Sequence, residues 1–514
     1  MPKTIEIALK PHQCLEQEQI RMHIAKQYNV DLEYIVLLKK SLDARNRKNI
    51  HYIIRAEIFD FPQKEKNFNV YKPRALGKST CHIIGFGPAG IFAALQALQL
   101  GIKPIVIERG KGVKERRRDL AKLNKELLVN SESNYCFGEG GAGTYSDGKL
   151  YTRSKKKGSV KDVLEAFVQF GANPKIVFEA HPHIGTNKLP GIIEKMREFI
   201  LANGGEIHFN TKLLDFEIGK SGIHKISCTN NKEFDVQHLI LATGHSARDI
   251  YELLKLKEVK LEAKSFALGV RIEHPQEMVD QMQYHCKRGE FLPPASYSLV
   301  QQVKGRGVFS FCMCPGGIIA PASTDQNETV VNGWSPSKRN GKFANSGLVV
   351  QLDQEDFLPF QNRGVLAGLE FQKSVERACY DFSGSIVAPA QKVPHFLNNK
   401  TGDSILQSSY IPGLVNANLN EILPHLVSQR LKGAITQFAK KMKGYDSSEG
   451  IMVATESRTS SPVRIPRDKE LLCHPQVENL YPSAEGAGFA GGIVSAAIDG
   501  IRCLNAVAQK KGIY

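Results

Sequence analysis

Three glycine clusters and a few polar residues near them hold the residue types and spacings that do chemistry in this chain. The first cluster, Gly85-Phe86-Gly87-Pro88-Ala89-Gly90, lies between an apolar run from Cys81 to Ile84 and a stretch of good helix formers from Ile91 to Leu100, which Gly101 stops. A second apolar run, Ile105-Val106-Ile107, ends on Glu108, eighteen residues after Gly90. Strand, turn, helix, strand and acid stand in the register of a dinucleotide-binding βαβ unit. Gly85 permits the tight turn, and Gly87, followed in the same turn by Pro88 and Ala89, lets backbone approach a pyrophosphate. Gly90 lets helix and strand pack closely. Free N–H groups at the helix start and the helix dipole both favour the phosphates. Glu108 stands where a carboxylate accepts hydrogen bonds from adenosine ribose hydroxyls, with Arg109 beside it. It would repel a 2′-phosphate, so the site suits FAD or NAD and disfavours NADP.

The second cluster runs from Phe137 to Leu150 and matches the same pattern through Gly138, Gly140 and Gly143. No strand precedes it and no apolar helix follows, so it is no second βαβ turn. Gly140, Gly141, Ala142, Gly143 and Thr144 instead describe a backbone loop that comes close to something flat or anionic. The third cluster, Gly486, Gly488 and Gly491, lies between a short strand and a helix of small residues, with too little chain after it for a second nucleotide domain. Its helix start at Gly491-Gly492-Ile493 can offer N–H groups to the pyrimidine edge of a flavin, and Glu485 would face the ribityl or pyrophosphate region. An apolar strand returns into Ala242-Thr243-Gly244, and Leu213, after the strand Glu206 to Phe209, completes the cofactor candidates.

No residue is forced into a catalytic role. Tyr145, Asp147 and Lys149 can donate protons, hold an anion or simply position the cofactor. Arg458 reads as a structural salt bridge before a substrate anchor, and His245 as a cap on the following segment before a general base. Cys312 and Cys314, two apart on a strand, would share one face; two buried thiols are expected, with a redox disulfide as the rarer outcome. Cys136 is a candidate for a flavin or substrate adduct. Ten cysteines without a CxxC pair suggest neither a metal site nor a disulfide framework, and fit a reduced cytoplasmic chain.

The elements that must position these residues fall into four stretches. Residues 1–75 read as a small β-α-β-β module of ferredoxin-like α+β type, with Lys64 to Lys78 as linker. Residues 79–262 form the first part of a Rossmann-like FAD-binding domain. Residues 263–449, rich in proline and turn clusters, form a sheet-containing substrate or cap domain. Residues 450–514 return to the FAD-binding domain. The fold class is therefore α/β. Within 514 residues, 42% hydrophobic and 23% charged, no signal peptide is expected because the first residues carry no apolar run, and residues 81 to 100, though free of charge, read as a βαβ unit and not as a membrane span. The net charge of +16 is spread along the chain, with local runs at Arg116 to Arg118 and Lys155 to Lys157, so nucleic-acid binding is not expected.

A front βαβ fingerprint, an Ala-Thr-Gly return strand and a glycine-rich strand-helix near the end resemble the glutathione-reductase-type FAD superfamily. A closer resemblance is to the uncharacterised bacterial FAD-dependent dehydrogenases of about this length. It rests on Phe137 to Leu150, Phe311 to Gly317, Thr455 to Pro466, Glu485 to Ile493 and the N-terminal module. Glu485 departs from the superfamily, where many relatives carry Asp. The resemblance implies bound FAD and names no substrate. The expected function is an FAD-dependent oxidoreductase acting on an unknown small organic molecule, with NAD(P)H binding only transiently. An FAD-containing RNA-binding or RNA-modifying protein is the alternative.

Overall fold

A computed structural model describes residues 2–46, 49–64, 67–152, 158–402 and 407–512; the Lys155 to Lys157 run lies outside them. The chain is an α/β protein built on a Rossmann-like parallel sheet of five strands. Their order is Leu480–Pro482, Leu239–Leu241, Thr80–Ile84, Lys103–Ile107 and Glu206–His208. Every neighbouring pair runs parallel, and Ile84 is the register partner of both Ile107 and Leu241, which in turn faces Pro482. Gly85, Glu108, Ala242 and Ser483 therefore leave the sheet side by side at its carboxyl edge, where open α/β sheets bind ligands.

Two helices cover this sheet. Pro88–Gln99 is buried from Ala89 to Leu95 and at Ala97 and Leu98, which explains why residues 81 to 100 carry no charge. Ile493–Lys510 packs against it so closely that a Cβ on Gly500 would lie 2.1 Å from the carbonyl oxygen of Ala89. Both helices consequently start at the same edge of the sheet.

The second layer is an eight-stranded sheet, mostly antiparallel. Its order is Val300–Val303, Arg306–Pro321, Phe343–Leu352, Phe266–Pro275, Ile451–Glu456, Ala388–Lys392 and Leu414–Asn416, with Val331–Trp334 paired to the far end of Arg306–Pro321. Helices Ala367–Ser383 and His425–Lys441 bury apolar faces in its neighbourhood. Ile451–Glu456, which the sequence places at the start of the returning segment, lies inside this sheet. Arg306–Pro321 runs through Pro315-Gly316-Gly317, and two register shifts absorb what reads in sequence as a break.

The N-terminal module is a three-stranded antiparallel sheet, ordered Lys3–Leu9, His51–Ile58, Ile35–Asp43, with Ile20 and Ile24 of helix Gln17–Tyr28 buried on it. It joins the body by backbone: Lys40 N–H donates to the Phe178 carbonyl at 2.7 Å, and Ala180 N–H to the Lys40 carbonyl at 2.9 Å. Two strands expected as single runs are divided. Glu217 to Thr229 is part of a hairpin, Leu213–Gly219 with Gly222–Cys228, and Phe234 to Thr243 separates into Lys232–Asp235 and Leu239–Leu241 in different sheets. Among the described residues no helix is long and apolar enough to cross a membrane, and no cluster of metal-ligating side chains occurs.

Candidate functional site

A cavity of about 510 Å³ opens between the carboxyl edge of the parallel sheet and the eight-stranded sheet. All three glycine clusters and the Ala242-Thr243-Gly244 turn reach it. Its walls include Gly85, Gly87, Pro88 and Ala89 from the first turn, Glu108 and Arg109 from the second strand end, and Gly141, Ala142 and Gly143 from the second loop. Leu213, Glu485, Gly491, Gly492 and Ile493 line it as well.

Four expected residues stand behind the wall. Gly90 packs on the first turn, where a Cβ would lie 2.0 Å from the Gly85 carbonyl oxygen. Gly140, at φ 78°, donates its N–H to the Phe86 carbonyl at 2.8 Å. Thr144 donates its hydroxyl to the Glu139 carbonyl at 2.6 Å. Gly486 sits against Gly244, whose carbonyl oxygen a Cβ would meet at 2.6 Å. Part of the glycine density thus serves the approach of one loop to another: a Cβ on Gly141 would come within 3.1 Å of the Gly87 Cα. Periodicity carries no signal for such loop-to-loop contacts.

Glu108 is 5% exposed and more constrained than its sequence position suggests. Its Oε2 accepts the Phe86 N–H at 2.8 Å, and its Oε1 accepts the N–H groups of Gly110 at 2.9 Å and Gly138 at 3.0 Å. A carboxylate has about four lone-pair positions, so one is left for the cavity. Glu108 therefore fastens the first turn, its own strand end and the second glycine loop together.

The group best suited to this cavity carries phosphates at one end. Helices Pro88–Gln99 and Ile493–Lys510 begin at Gly87 and Gly492, neither with a side-chain cap, and both starts line the cavity. The first N–H groups of a helix have no intrahelical partners and favour an anion. Gly492, at φ 90°, opens the second helix start without a side chain in the way.

The opposite wall comes from the eight-stranded sheet and the end of the second loop: Phe311, Cys312, Cys314, Trp334, Lys149 and Arg458. Cys312 adopts φ 43° at the first register shift, so the two cysteines do not share a face as a regular strand would require. Cys312 opens to the cavity while Cys314 is 1% exposed, and all ten cysteines are free thiols. Enclosure by protein pushes the Cys312 thiol up to about 11, against the opposing pull of Lys149. The Cys314 thiol donates to the Cys312 carbonyl at 3.1 Å and lies 3.5 Å from Arg271 Nη2. Arg271 is fully buried, pairs with Glu456 at 2.9 Å and donates to the Cys312 carbonyl at 2.7 Å.

Arg458 belongs to a buried network with Arg248, Glu328 and Glu376. Burial acts to raise the Glu376 carboxyl, but Arg248 and Arg458 outweigh it and hold it well below the usual range. Tyr145 donates its hydroxyl to the Val113 carbonyl at 3.0 Å, and burial raises it. Asp147 pairs with Arg339 at 2.5 Å; burial would raise it, yet Arg339 and Lys149 together hold it below the ordinary range. His245 does not cap the next helix, whose N-cap is Ala247 without a side-chain bond; its Nδ1 lies 3.6 Å from Glu485 Oε1 at the cavity. Cys136 also lines the cavity, with its Sγ 3.7 Å from the Ala322 carbonyl.

A family model for the C-terminal domain-like part of an FAD-dependent protein matches residues 265–459, and one for a domain of unknown function matches residues 1–59. An uncharacterized protein of Clostridium beijerinckii is 39% identical over 512 residues, 95% of either chain. Among solved structures, a geranylgeranyl bacteriochlorophyll reductase-like protein of Thermoplasma acidophilum is 13% identical, with 85% of this chain and 81% of that one covered at a TM-score of 0.37. CtdE in complex with FAD is 10% identical, with 84% of each chain covered at a TM-score of 0.33. The cofactor is FAD, and two uncapped helix starts beside bare glycine backbone fit its pyrophosphate.

Proposed function

The chain belongs to this family of FAD-dependent proteins, and we propose that it is an oxidoreductase moving a hydride or electron pair between an organic substrate and FAD. One observation carries the reading. The cavity is continuous from the helix starts, which suit the dinucleotide, to a wall of side chains on the eight-stranded sheet, where a substrate would meet the cofactor. FAD supplies the redox chemistry when bound.

The residues of the chain have distinct tasks in this reading. Gly87, Ala89, Gly491, Gly492 and Ile493 offer backbone N–H groups to anionic parts of the cofactor. Glu108 presents its remaining lone pair to the adenosine ribose while holding three turns in place. Glu485, paired with His245, borders the stretch between the two helix starts. Phe311, Ala320, Pro321 and Ala322 give the cavity an apolar lining that would exclude water from the bound cofactor. The second and third glycine clusters form walls of this same cavity and no separate nucleotide domain, so a pyridine nucleotide would meet the flavin only in passing.

The test is an anaerobic absorbance titration of the purified holoprotein. Rapid bleaching of the flavin by NADH or NADPH makes the protein pyridine-nucleotide-linked. Bleaching by dithionite alone points to a dehydrogenase reduced by its own substrate, to be sought with a panel of organic donors. A flavin that neither dithionite nor any organic donor reduces would overturn the proposal.

A further inference from the structure

We infer that the substrate is a small organic anion, an apolar or aromatic body with one carboxylate, and that Lys149 binds that carboxylate. This rests on the oxidoreductase reading above and adds the charge of the substrate to it.

The inference comes from pairing the charges around the cavity. Three cationic side chains line it: Arg109, Lys149 and Arg458. Arg109 pairs with Asp249 at 2.6 Å and Glu132 at 3.6 Å, and Lys212 shares both carboxylates, at 3.2 and 3.0 Å. Two cations face two anions there. Arg458 and Arg248 likewise face Glu328 and Glu376. His245 faces Glu485.

Lys149 is different. Its Nζ donates to the Met313 carbonyl and lies 3.8 Å from Cys314 Sγ, and among the described residues it forms no ion pair within 4 Å. The nearest acids already have cations. Asp147 pairs with Arg339, and Glu456 pairs with Arg271. Among the described residues, Lys149 is therefore the cavity-lining lysine or arginine that has no carboxylate of its own.

An unpaired charge in a partly enclosed wall is costly, and an anion brought beside it relieves that cost. An ammonium has three protons; one goes to Met313, one is directed towards Cys314, and one remains. One free donor suits a carboxylate oxygen better than a phosphate dianion, which calls for several donors. The anionic part of the cofactor has its own donors at the helix starts on the opposite wall. The cavity that Lys149 lines is also lined by Phe311, Trp334, Tyr151 and Pro321, which suits a flat apolar body.

The test uses holoprotein and the flavin's visible spectrum as reporter, so it needs no turnover. Benzoate and its neutral isostere benzamide are titrated into the wild type, Lys149→Met and Lys149→Arg. We expect a saturable shift with benzoate and at least tenfold weaker binding of benzamide. Lys149→Met should weaken benzoate at least tenfold and leave benzamide and flavin content unchanged, while Lys149→Arg retains most of the affinity. No benzoate-dependent shift, equal binding of benzoate and benzamide by the wild type, or undiminished benzoate binding by Lys149→Met each overturns the inference. So does loss of FAD from Lys149→Met, which would give the charge to the cofactor. A flavin that neither dithionite nor any organic donor reduces would instead defeat the oxidoreductase reading, and it is read in a separate experiment.

Discussion

Replacing Glu108 separates two roles that its position combines. If the carboxylate served mainly the ribose, Glu108→Ala would weaken FAD binding and leave the apoprotein as stable as before. The structure gives a different expectation, because three backbone N–H groups converge on this side chain at 2.8, 2.9 and 3.0 Å. The carboxylate itself is only 5% exposed. Leaving a buried donor without a partner costs about 1–3 kcal/mol. With water entering part of the space left by the side chain, Glu108→Ala should cost the apoprotein about 3–6 kcal/mol. That is a large share of the about 5–15 kcal/mol that holds a folded protein. Glu108→Gln keeps an acceptor for Gly110 and Gly138 but turns an amide donor towards the Phe86 N–H, for about 2–3 kcal/mol. Urea unfolding of apoprotein, followed by circular dichroism, measures both. An Ala variant whose apo midpoint matches the wild type, with only its FAD affinity reduced, would refute the reasoning.

Four further outcomes follow from other parts of the molecule. Gly500→Val should separate the two helices, because a Cβ there meets the Ala89 carbonyl at 2.1 Å; FAD content and thermal midpoint should fall together. Glu376→Gln leaves Arg248 and Arg458 with Glu328 alone, and a buried pair broken from one side costs about 3–5 kcal/mol, read by urea midpoint. Burial holds His82, His238 and His274 down to about 4. The unfolded chain then binds protons that the folded chain does not, so stability should fall with pH between about 6.5 and 4, by about 1.4 kcal/mol per unit for each histidine. His82→Phe, beside the Phe234 ring, should flatten that slope. With iodoacetamide at neutral pH, peptide mapping should find exposed Cys286 labelled first, and at higher pH Cys312 before Cys314.

Where a local rule decides the structure, it was legible in the residues. Gly85 at φ 101°, a helix after the glycine turn and the strand leading to Glu108 follow from backbone freedom, good helix formers and apolar runs, all within a few residues of chain, although the helix starts at Pro88, earlier than the run from Ile91 indicates. The convergence of the third cluster on the first was also legible, since Gly491-Gly492-Ile493 carries the same helix-start chemistry. What was not legible depends on partners distant in sequence. The three N–H groups on Glu108 come from residues 86, 110 and 138. His245 turns to Glu485, 240 positions away, because Ala247 leaves the helix start without a side-chain cap. Cys312 and Cys314 are parted by a register shift forced by pairing with Phe343–Leu352, a strand that periodicity alone did not reveal.

The two walls of the cavity differ in what they can vary. On the dinucleotide side the contacts are backbone: glycine turns, helix starts and strand ends, where an added Cβ meets carbonyl oxygen at 2.0 to 2.6 Å in Gly85, Gly90 and Gly486. Such a wall tolerates little substitution and determines little beyond the presence of a flat, phosphate-bearing group. On the cap side the contacts are side chains, held by buried ion pairs such as Arg271 with Glu456 and Arg458 with Glu376. The first pair lies behind the wall and the second reaches it through Arg458; both fix its shape, while Lys149, Cys312, Phe311 and Trp334 can change without breaking them. Under the proposed function, the choice of reacting molecule would therefore reside in the eight-stranded sheet and the loop that ends at Lys149. The family model for an FAD-dependent protein, matching residues 265–459, covers that sheet rather than the βαβ fingerprint. Substitutions at Lys149, Cys312 and Trp334 should accordingly alter which molecule reacts with the flavin without altering whether the flavin is bound.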